Sequence, residues 1–235
     1  MIRHAQSIAN AGEPTTDPHS IPLSQLGREQ AGGLARSGLI DALIRRVRDG
    51  EIDLRLITSR MSRTQQTLAP AAARIGEECN GGDPWPVDRW PVDEFTFLSF
   101  ARLNRELGKA STIIDRRRLG TPYWERCDPH HCDGDDAESF AMFRNRVRAM
   151  LARFRELGHE ARRSSPGKRL VLVVVAHNRT MLMTQQECVW PMLDDEAAML
   201  AFRSLILSPV DVPNVASMPL RVHEDSVWVG PVRWA

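Results

Sequence analysis

The amino-acid sequence predicts an α/β fold: a three-layer sandwich in which a mainly parallel central sheet carries helices on both faces. Residues 170–175 are hydrophobic at every position, which is typical of a strand buried on both faces. Residues 54–58 form a second strand pattern, and amphipathic helical segments lie between these two strands in the chain. Strands that alternate with helices favour a parallel sheet with ligands at the carboxyl ends of its strands.

The composition excludes several classes of protein. The chain has 235 residues, with 31 basic and 30 acidic side chains and 42% hydrophobic residues. Near-neutral charge with ordinary apolar content argues against disorder and gives no global basic excess for nucleic acid or an anionic membrane. The run 170–176 is too short to span a bilayer. Four cysteines are too few for a disulfide scaffold, and the N-terminus shows no signal peptide, so we expect a cytoplasmic protein.

The elements of the N-terminal third follow from periodicity and capping signals. Ile2 ends a first strand, and the polar residues 5–21 form a loop. Ser24 is suited to cap a helix that ends near residues 37–38, and an amphipathic segment at 39–47 closes at Gly50. After the strand at 54–58, an alanine-rich helix is expected over residues 67–75.

The middle of the chain is harder to assign. Residues 80–93 contain Gly81-Gly82 and three prolines, which argues against regular structure, and residues 95–133 are the least regular part. We therefore expect a single domain, 1–235, with an irregular lid inserted at about 80–135. Acidic residues then open a long helix from Phe140, and Gly158 is expected to end it.

Cations and imidazoles follow the predicted strand ends. Arg3-His4 follows the first strand, Arg60 and Arg63 come just after the second, and His177 directly follows the buried strand. Each residue alone has an ordinary alternative, such as a surface histidine or an arginine that solvates a helix start. Together at one sheet edge, they suit a tetrahedral dianion, because guanidinium groups match phosphate oxygens.

Four motifs occur in the order and spacing of a known family. Residues 3–10 read Arg-His-Ala-Gln-Ser-Ile-Ala-Asn, residues 22–31 read Pro-Leu-Ser-Gln-Leu-Gly-Arg-Glu-Gln-Ala, and residues 59–67 read Ser-Arg-Met-Ser-Arg-Thr-Gln-Gln-Thr. A hydrophobic strand then ends in Ala176-His177-Asn178. The chain, from Arg3 to about Met183, resembles the histidine phosphatase superfamily, also called phosphoglycerate mutase-like. It departs from the family at Ala5 and Asn178, where glycine is commoner, and in having only two residues before Arg3.

The resemblance implies a role for each site residue. His4 would be the nucleophile, His177 would stabilise the transferring phosphoryl group, and Glu94 would be the general acid, with Asp93 as its competitor. The phosphate would be bound by Arg3, Arg63, Asn10 and Asn178. The implied activity is a metal-independent phosphomonoesterase that acts through a phosphohistidine on a small phosphorylated metabolite, without a cofactor.

Other interpretations stay open at this stage. A phosphoglycerate mutase-type phosphotransferase and a non-catalytic member that binds a phosphorylated ligand are both compatible with the motifs. Cys127, His130, His131 and Cys132 lie within six residues and include four candidate metal ligands, although adjacent histidines are poorly spaced for one ion. We expect a small-molecule phosphoester as partner, with no nucleic acid and no membrane. The sequence does not decide whether the chain forms a homo-oligomer.

Overall fold

The central sheet has six strands and is parallel over its larger part. The structure is a computed structural model and describes residues 1–192, 194–207, 212–223 and 226–234. Its strands are β1 (Ile2–Arg3), β2 (Ile52–Thr58), β3 (Val87–Arg89), β4 (Arg169–Ala176), β5 (Ala216–Ser217), β6 (Leu220–His223), β7 (Ser226–Val229) and β8 (Arg233–Trp234). The sheet order is β3-β2-β4-β1-β5-β8. Strands β3, β2, β4 and β1 are mutually parallel, whereas β5 and β8 pair antiparallel.

Helices cover both faces of this sheet, as predicted. They are α1 (Gln25–Ala35), α2 (Gly38–Arg48), α3 (Ser62–Cys79), α4 (Phe100–Leu107), α5 (Ile113–Arg126), α6 (Phe140–Ser164), α7 (Asn178–Val189) and α8 (Asp195–Leu207). One hydrophobic core joins the sheet to α1, α2 and α3, and the other joins it to α6, α7 and α8. The predicted three-layer α/β sandwich is therefore confirmed.

Strand β4 separates the two cores. Val173 and Val175 belong to the core with α1–α3, whereas Val174 and Ala176 belong to the core with α6–α8. Alternate side chains of a strand point to opposite faces, so burial on both sides requires the continuous hydrophobic run seen in the sequence. Burial on both faces is confirmed only for this carboxyl half, because the first four residues of β4 are exposed or half-buried.

Several predicted helix boundaries need correction. The Ser24 side chain accepts a hydrogen bond from the Gly27 amide, so the predicted cap of α1 is confirmed. Helix α3 begins at Ser62, five residues before the expected start. Helix α6 continues past Gly158 to Ser164, because one glycine costs a helix interior only about 1 kcal/mol.

The predicted irregularity of the 80–135 segment is confirmed only in part. Strand β3 adds to the sheet beside β2, and α4 and α5 occupy much of the rest. Ser99 caps α4, and Thr112 and Asp115 form a reciprocal capping box at the start of α5. These local signals outweigh Pro122, which α5 accommodates in its interior. The segment is an insertion in which two helices and one short strand are joined by irregular connections.

The C-terminal region closes the far side of the sheet. Strand β5 pairs antiparallel with β1, and Ile2 is opposite Ser217. Strands β6 and β7 form a separate hairpin. Among the described residues, no helix combines the length and hydropathy that a bilayer span requires.

Candidate active site

The two predicted histidines lie side by side at the carboxyl ends of the two central strands. His4 follows β1 and His177 follows β4, and these strands are parallel neighbours. The His4 amide donates to the Ala176 carbonyl at 2.9 Å, which continues the ladder into the site. The ring centroids are 5.1 Å apart in an edge-to-face arrangement. The strand-end convergence predicted from the sequence is therefore present for both imidazoles.

Hydrogen bonds assign the tautomer of His4. Its Nδ1 lies 2.6 Å from the Ala5 carbonyl oxygen, which can only accept, so Nδ1 carries the proton. The Nε group of Arg63 donates to His4 Nε2 at 3.2 Å, so Nε2 carries the lone pair. Ala5 is not among the described residues with positive φ, so alanine fits this position without strain. His4 thus has a nucleophilic nitrogen held in one orientation.

Burial and neighbouring charge favour the neutral form of His4. Its side chain is almost completely buried, and burial lowers the pKa of His4 well below 6.5. The positive charges of Arg63 and Arg3 lower that pKa further, while the hydrogen bond to Ala5 partly opposes them. An imidazole in this environment is unprotonated at neutral pH, as a nucleophile must be.

Arg63 is a buried cation, and no carboxylate of the described residues lies within ion-pair distance of it. Its Nη1 donates to the Pro18 carbonyl at 2.7 Å, its Nε to His4, and its Nη2 contacts the sulfur of Met61 at 3.0 Å. Burial lowers the pKa of Arg63 to about 10, which still leaves it charged at neutral pH. Arg3 is also buried, and it donates through Nη1 to the Val212 carbonyl. Two guanidinium groups therefore lie beside His4.

A chain of hydroxyl groups orients His177. The Thr64 hydroxyl donates to the Met61 carbonyl at 2.8 Å, so its oxygen accepts the Ser59 hydroxyl proton across 2.9 Å. Ser59 Oγ then accepts from the Met61 amide and from His177 Nε2, at 3.1 and 2.9 Å. His177 Nδ1 is left as an acceptor, with no partner among the described residues. Burial, followed by the charge of Arg63, lowers the pKa of His177 well below 6.5.

The structure distinguishes the two candidate general acids. Asp93 is buried and accepts from the Arg60 amide at 2.9 Å and from Arg60 Nε at 2.7 Å. The Asp93 carboxylate is therefore engaged in an ion pair with Arg60. Glu94 is half-buried, its Oε1 accepts only from the Phe95 amide at 3.0 Å, and it lines the same cleft as His4. The position of Glu94 is therefore the one from which a carboxyl group can reach a leaving group.

The cleft contains six of the seven predicted site residues: Arg3, His4, Asn10, Arg63, Glu94 and Asn178. Its volume is about 730 Å³. His177 is fully buried next to His4 and does not line it. The amide oxygens of Asn10 and Asn178 accept from Ser7 and from the Val212 amide, respectively, so these side chains can offer their NH₂ groups to a ligand.

A second cavity lies at the opposite ends of the strands. It measures about 870 Å³, and its lining includes Asp53, Arg55, Trp85 and Lys168. These residues are at the amino ends of β2 and β4 or beside them. Neither imidazole lines it, and ligands of parallel sheets bind outside the carboxyl ends of the strands. We therefore assign the chemistry to the cleft at His4.

Other residues of the motifs hold the backbone that follows His4. Thr67 Oγ1 accepts from the Ala5 amide at 2.9 Å, and Gln30 Oε1 accepts from the Gln6 amide at 2.8 Å. At Gly27 a Cβ atom would lie 1.9 Å from the Gln6 carbonyl oxygen, so only glycine fits there. The motifs at 22–31 and 59–67 thus contain positioning residues as well as Arg63.

The C-terminal region also supports the site, although sequence reasoning gave it no part. Asn214 Nδ2 donates to the His4 carbonyl at 2.8 Å, and the Val215 amide donates to the Arg3 carbonyl at 3.1 Å. Val215 has a φ of 55°, which is unusual for a β-branched residue and aims its amide at β1. Contacts across more than 200 residues leave no local signal in the sequence.

The alternative metal site does not assemble in the structure. Cys127 ends α5, and His131 lies within 3.1 Å of the Arg126 guanidinium through either ring nitrogen. No group of three or more histidine, cysteine or acidic side chains converges on a common point within the described residues. Residues 127–132 form a polar connection between α5 and α6.

A family model accounts for most of the chain. The model described as histidine phosphatase superfamily (branch 1) matches residues 1–189, which include every site residue described above. The chain belongs to this superfamily. No curated protein matches the chain significantly in sequence. The resemblance inferred from the four motifs is thus confirmed at the level of the family.

Solved structures of other histidine phosphatase-like proteins share the fold. An alpha-ribazole phosphatase from Shigella flexneri is 19% identical, with a TM-score of 0.62 over 98% of this chain and 93% of that one. A mycobacterial glucosyl-3-phosphoglycerate phosphatase in complex with VO₃ is 18% identical, with a TM-score of 0.60 over 99% and 95%. A phosphoglycerate mutase from Bacillus anthracis is 17% identical, with a TM-score of 0.59 over 97% and 89%. At these identities the likeness concerns the fold alone.

Proposed function

We propose that this histidine phosphatase-like protein is a metal-independent phosphomonoesterase that forms a phosphohistidine at His4. The observation that carries the proposal is the hydrogen-bonded tautomer of His4. Its Nδ1 proton is donated to the Ala5 carbonyl, and its Nε2 lone pair lies beside Arg63 at the cleft. Family membership and phosphatases among the structural neighbours support this reaction class.

In the first half-reaction, His4 Nε2 attacks phosphorus and the bond to the leaving oxygen breaks. Arg3 and Arg63, with the NH₂ groups of Asn10 and Asn178, bind the phosphoryl oxygens as negative charge redistributes. Glu94, in its protonated form, gives the leaving alkoxide its proton.

In the second half-reaction, water attacks the phosphohistidine. The Glu94 carboxylate takes a proton from that water, and the bond between phosphorus and Nε2 breaks. His4 returns to its neutral tautomer and inorganic phosphate leaves. A bound dianion favours the protonated form of His177, which then donates to the same oxygens through Nδ1.

Trapping of the intermediate tests the proposal. Brief incubation with a ³²P-labelled phosphomonoester, followed by a denaturing quench, should leave label on the protein that is stable in alkali and labile in acid. His4→Ala should carry no label, whereas Arg74→Gln, altered at an ion pair with Asp41 far along α3, should label like the wild type. Label that persists in His4→Ala would refute the role of His4.

The fate of the phosphoryl group separates hydrolysis from the two alternatives. Release of inorganic phosphate in the absence of a second phosphorylated compound supports a phosphatase. Turnover that requires a bisphosphorylated acceptor would indicate a mutase-type phosphotransferase. Binding of vanadate without turnover of any phosphomonoester would indicate a non-catalytic phospholigand-binding protein.

The proposal also covers the partner molecule, the cellular location and the domain organisation. The partner is a small-molecule phosphoester, and no nucleic acid, membrane, metal or organic cofactor is assigned a part. We place the activity in the cytoplasm, because all four cysteines are free thiols and such thiols persist in reducing compartments. Residues 1–235 would act as a single domain, with the 80–135 segment forming one wall of the cleft.

A further inference from the structure

Four more arginines line the cleft. Arg116 and Arg117 come from α5, Arg179 from the first turn of α7, and Arg203 from α8. The acidic residues that line the cleft are Glu94, which the proposed mechanism uses, and Glu125, which is exposed. The part of the cleft lining that α5, α7 and α8 supply is therefore positively charged.

Arg116 and Arg179 both line this cleft, and no carboxylate of the described residues forms an ion pair with either of them. The charge of Arg179 lowers the pKa of Arg116, and burial lowers it more, to about 10 in all. The hydrogen bonds of Arg116 all come from Nη1 and go to neutral oxygens, Thr15 Oγ1 at 3.1 Å and Ser111 at 2.8 and 3.2 Å. Within the part of the chain that the structure describes, Arg179 has no hydrogen-bond or ion-pair partner.

Aromatic rings hold both guanidinium groups in place. The Arg116 guanidinium lies 5.1 Å from the centroid of Phe100, and that of Arg179 lies 5.1 Å from the centroid of Phe97. Cation–π contacts and the Ser111 hydrogen bonds fix these groups before any ligand binds, which reduces the entropy cost of binding. Phe97 and Phe100 are buried and form part of the cleft lining, so the rings belong to a rigid wall.

This arrangement differs from that of the arginines that pair with acidic side chains. Arg102 is paired with Asp133, Arg144 with Glu187, and Arg146 with Glu138. Two preorganised guanidinium groups that share a polar cleft without a counter-ion repel each other. An anion from outside the protein is the group that would relieve this repulsion.

We propose that Arg116 and Arg179 form a second anion subsite, which selects phosphomonoesters that carry a further anionic group, a carboxylate or a second phosphate. This inference rests on the proposed function, because the first phosphate is taken to occupy the site at His4 and Arg63. The apolar residues Leu98, Phe97 and Trp124 line the cleft as well, so the substrate carries its second charge on a compact organic backbone rather than on a polyanion. A phosphomonoester without a second anionic group would occupy only the site at His4 and Arg63.

Paired synthetic substrates test the subsite. The first pair is the phosphate ester of 3-hydroxypropionate and that of 3-hydroxypropionamide, its neutral isostere. The second pair is 1,3-propanediol bisphosphate and propyl phosphate. The turnover of the two members is compared within each pair. We expect the wild type to prefer the charged member of at least one pair by about tenfold or more in kcat/KM, as charge-assisted hydrogen bonds imply. The pair that shows the preference identifies the second group as carboxylate or phosphate.

Variants connect the preference to the two arginines. Arg116→Gln and Arg179→Gln should each reduce the ratio of kcat/KM for charged and neutral substrates by several-fold. Arg118→Gln is the matched control, because Arg118 is exposed on the same helix and does not line the cleft. The ratio should not change in this control. Equal losses for charged and neutral substrates in Arg116→Gln and Arg179→Gln would overturn the subsite.

Binding without chemistry separates this inference from the proposed function. The affinity of 3-phosphonopropionate and of propylphosphonate can be measured by calorimetry, since neither is hydrolysed. Tighter binding of the first, lost in Arg179→Gln, supports the subsite even if no ester is turned over. Turnover of neutral esters with equal affinity for the two phosphonates would leave the phosphatase proposal in place and overturn the subsite.

Discussion

The arginines of α6 and those of the cleft show two uses of the same side chain. Arg144 is fully buried and neutralised: its guanidinium bonds Glu187 and Asp195 at 2.7 Å and the Asp194 carbonyl at 2.8 Å. Arg63 is also buried, but its partners are a carbonyl, a thioether and an imidazole. A charge balanced inside the protein stabilises the fold, whereas one left unbalanced at a strand end is available to a ligand.

The largest effect on stability is expected at Arg144. Arg144→Gln removes one partner of buried acidic groups and one donor to each of the Met192 and Asp194 carbonyls, so we expect a loss of about 3–5 kcal/mol in the free energy of unfolding, measured by urea denaturation. The control is Arg153→Gln on the same helix, whose ion pairs are on the surface and should contribute little. Similar losses in the two variants would contradict a structural role specific to Arg144.

The opposite pattern is expected at Arg63. Arg63→Gln removes a donor to the phosphoryl oxygens, and kcat/KM should fall by about 10²- to 10³-fold, as for other groups that stabilise a transition state. The free energy of unfolding should change less than in Arg144→Gln, because no buried carboxylate loses its partner. A variant that unfolds readily but retains kcat/KM would show that Arg63 is structural. Steady-state kinetics and urea denaturation together decide this.

A smaller contrast is expected between the two adjacent carboxylates. Glu94→Gln should lower kcat for an alkyl phosphate by about 10²-fold, but that for p-nitrophenyl phosphate far less, because only a poor leaving group needs a proton. Asp93→Asn should weaken the fold through the lost pair with Arg60 and keep the ratio of the two rates. Equal losses for both substrates in Glu94→Gln would exclude its role as the acid.

The smallest expected effect is on the pKa of His4 and on the pH dependence of the free energy of unfolding. Burial, and then the charges of Arg63 and Arg3, lower the pKa of His4, so its imidazole should titrate well below pH 6.5 when followed by NMR in the free protein. Arg63→Gln should raise that midpoint, and Arg74→Gln should leave it unchanged. Unfolded histidines take up protons near pH 6.5 while folded His4 does not, so the free energy of unfolding should fall as the pH drops below 6.5. A His4 midpoint at or above 6.5 would contradict this description.

Local sequence patterns were sufficient to predict which residues meet at the strand ends of the candidate site. Arg3, His4, Arg63 and His177 follow strands that a hydrophobic run or a short periodic segment identifies, and parallel strands bring their carboxyl ends to one edge. The motif spacing was sufficient for the family, and the cap at Ser24 for the start of α1. Each of these features depends on residues close together in the chain.

Residues 80–135 were predicted only in part, because tertiary contacts outweigh local composition at β3 and α5. Strand β3 is only three residues long and is stabilised by pairing with β2, which no periodicity over three residues can reveal. The glycines and prolines around it mark turns, yet they do not exclude a short edge strand. In α5, the capping box and the packing of Tyr123 and Trp124 in the core offset the cost of Pro122.

The sequence by itself determined the α/β class, the family and the residues that meet at the candidate site. The tertiary structure showed that Asp93 pairs with Arg60 while Glu94 lines the cleft, and it showed the tautomer of His4, the support that Asn214 gives to the loop, and the common cleft of Arg116 and Arg179. The physical reason is the range of the interactions. Strand and helix patterns arise from neighbours in the chain, whereas charge balance and hydrogen-bond direction depend on groups that only folding brings together.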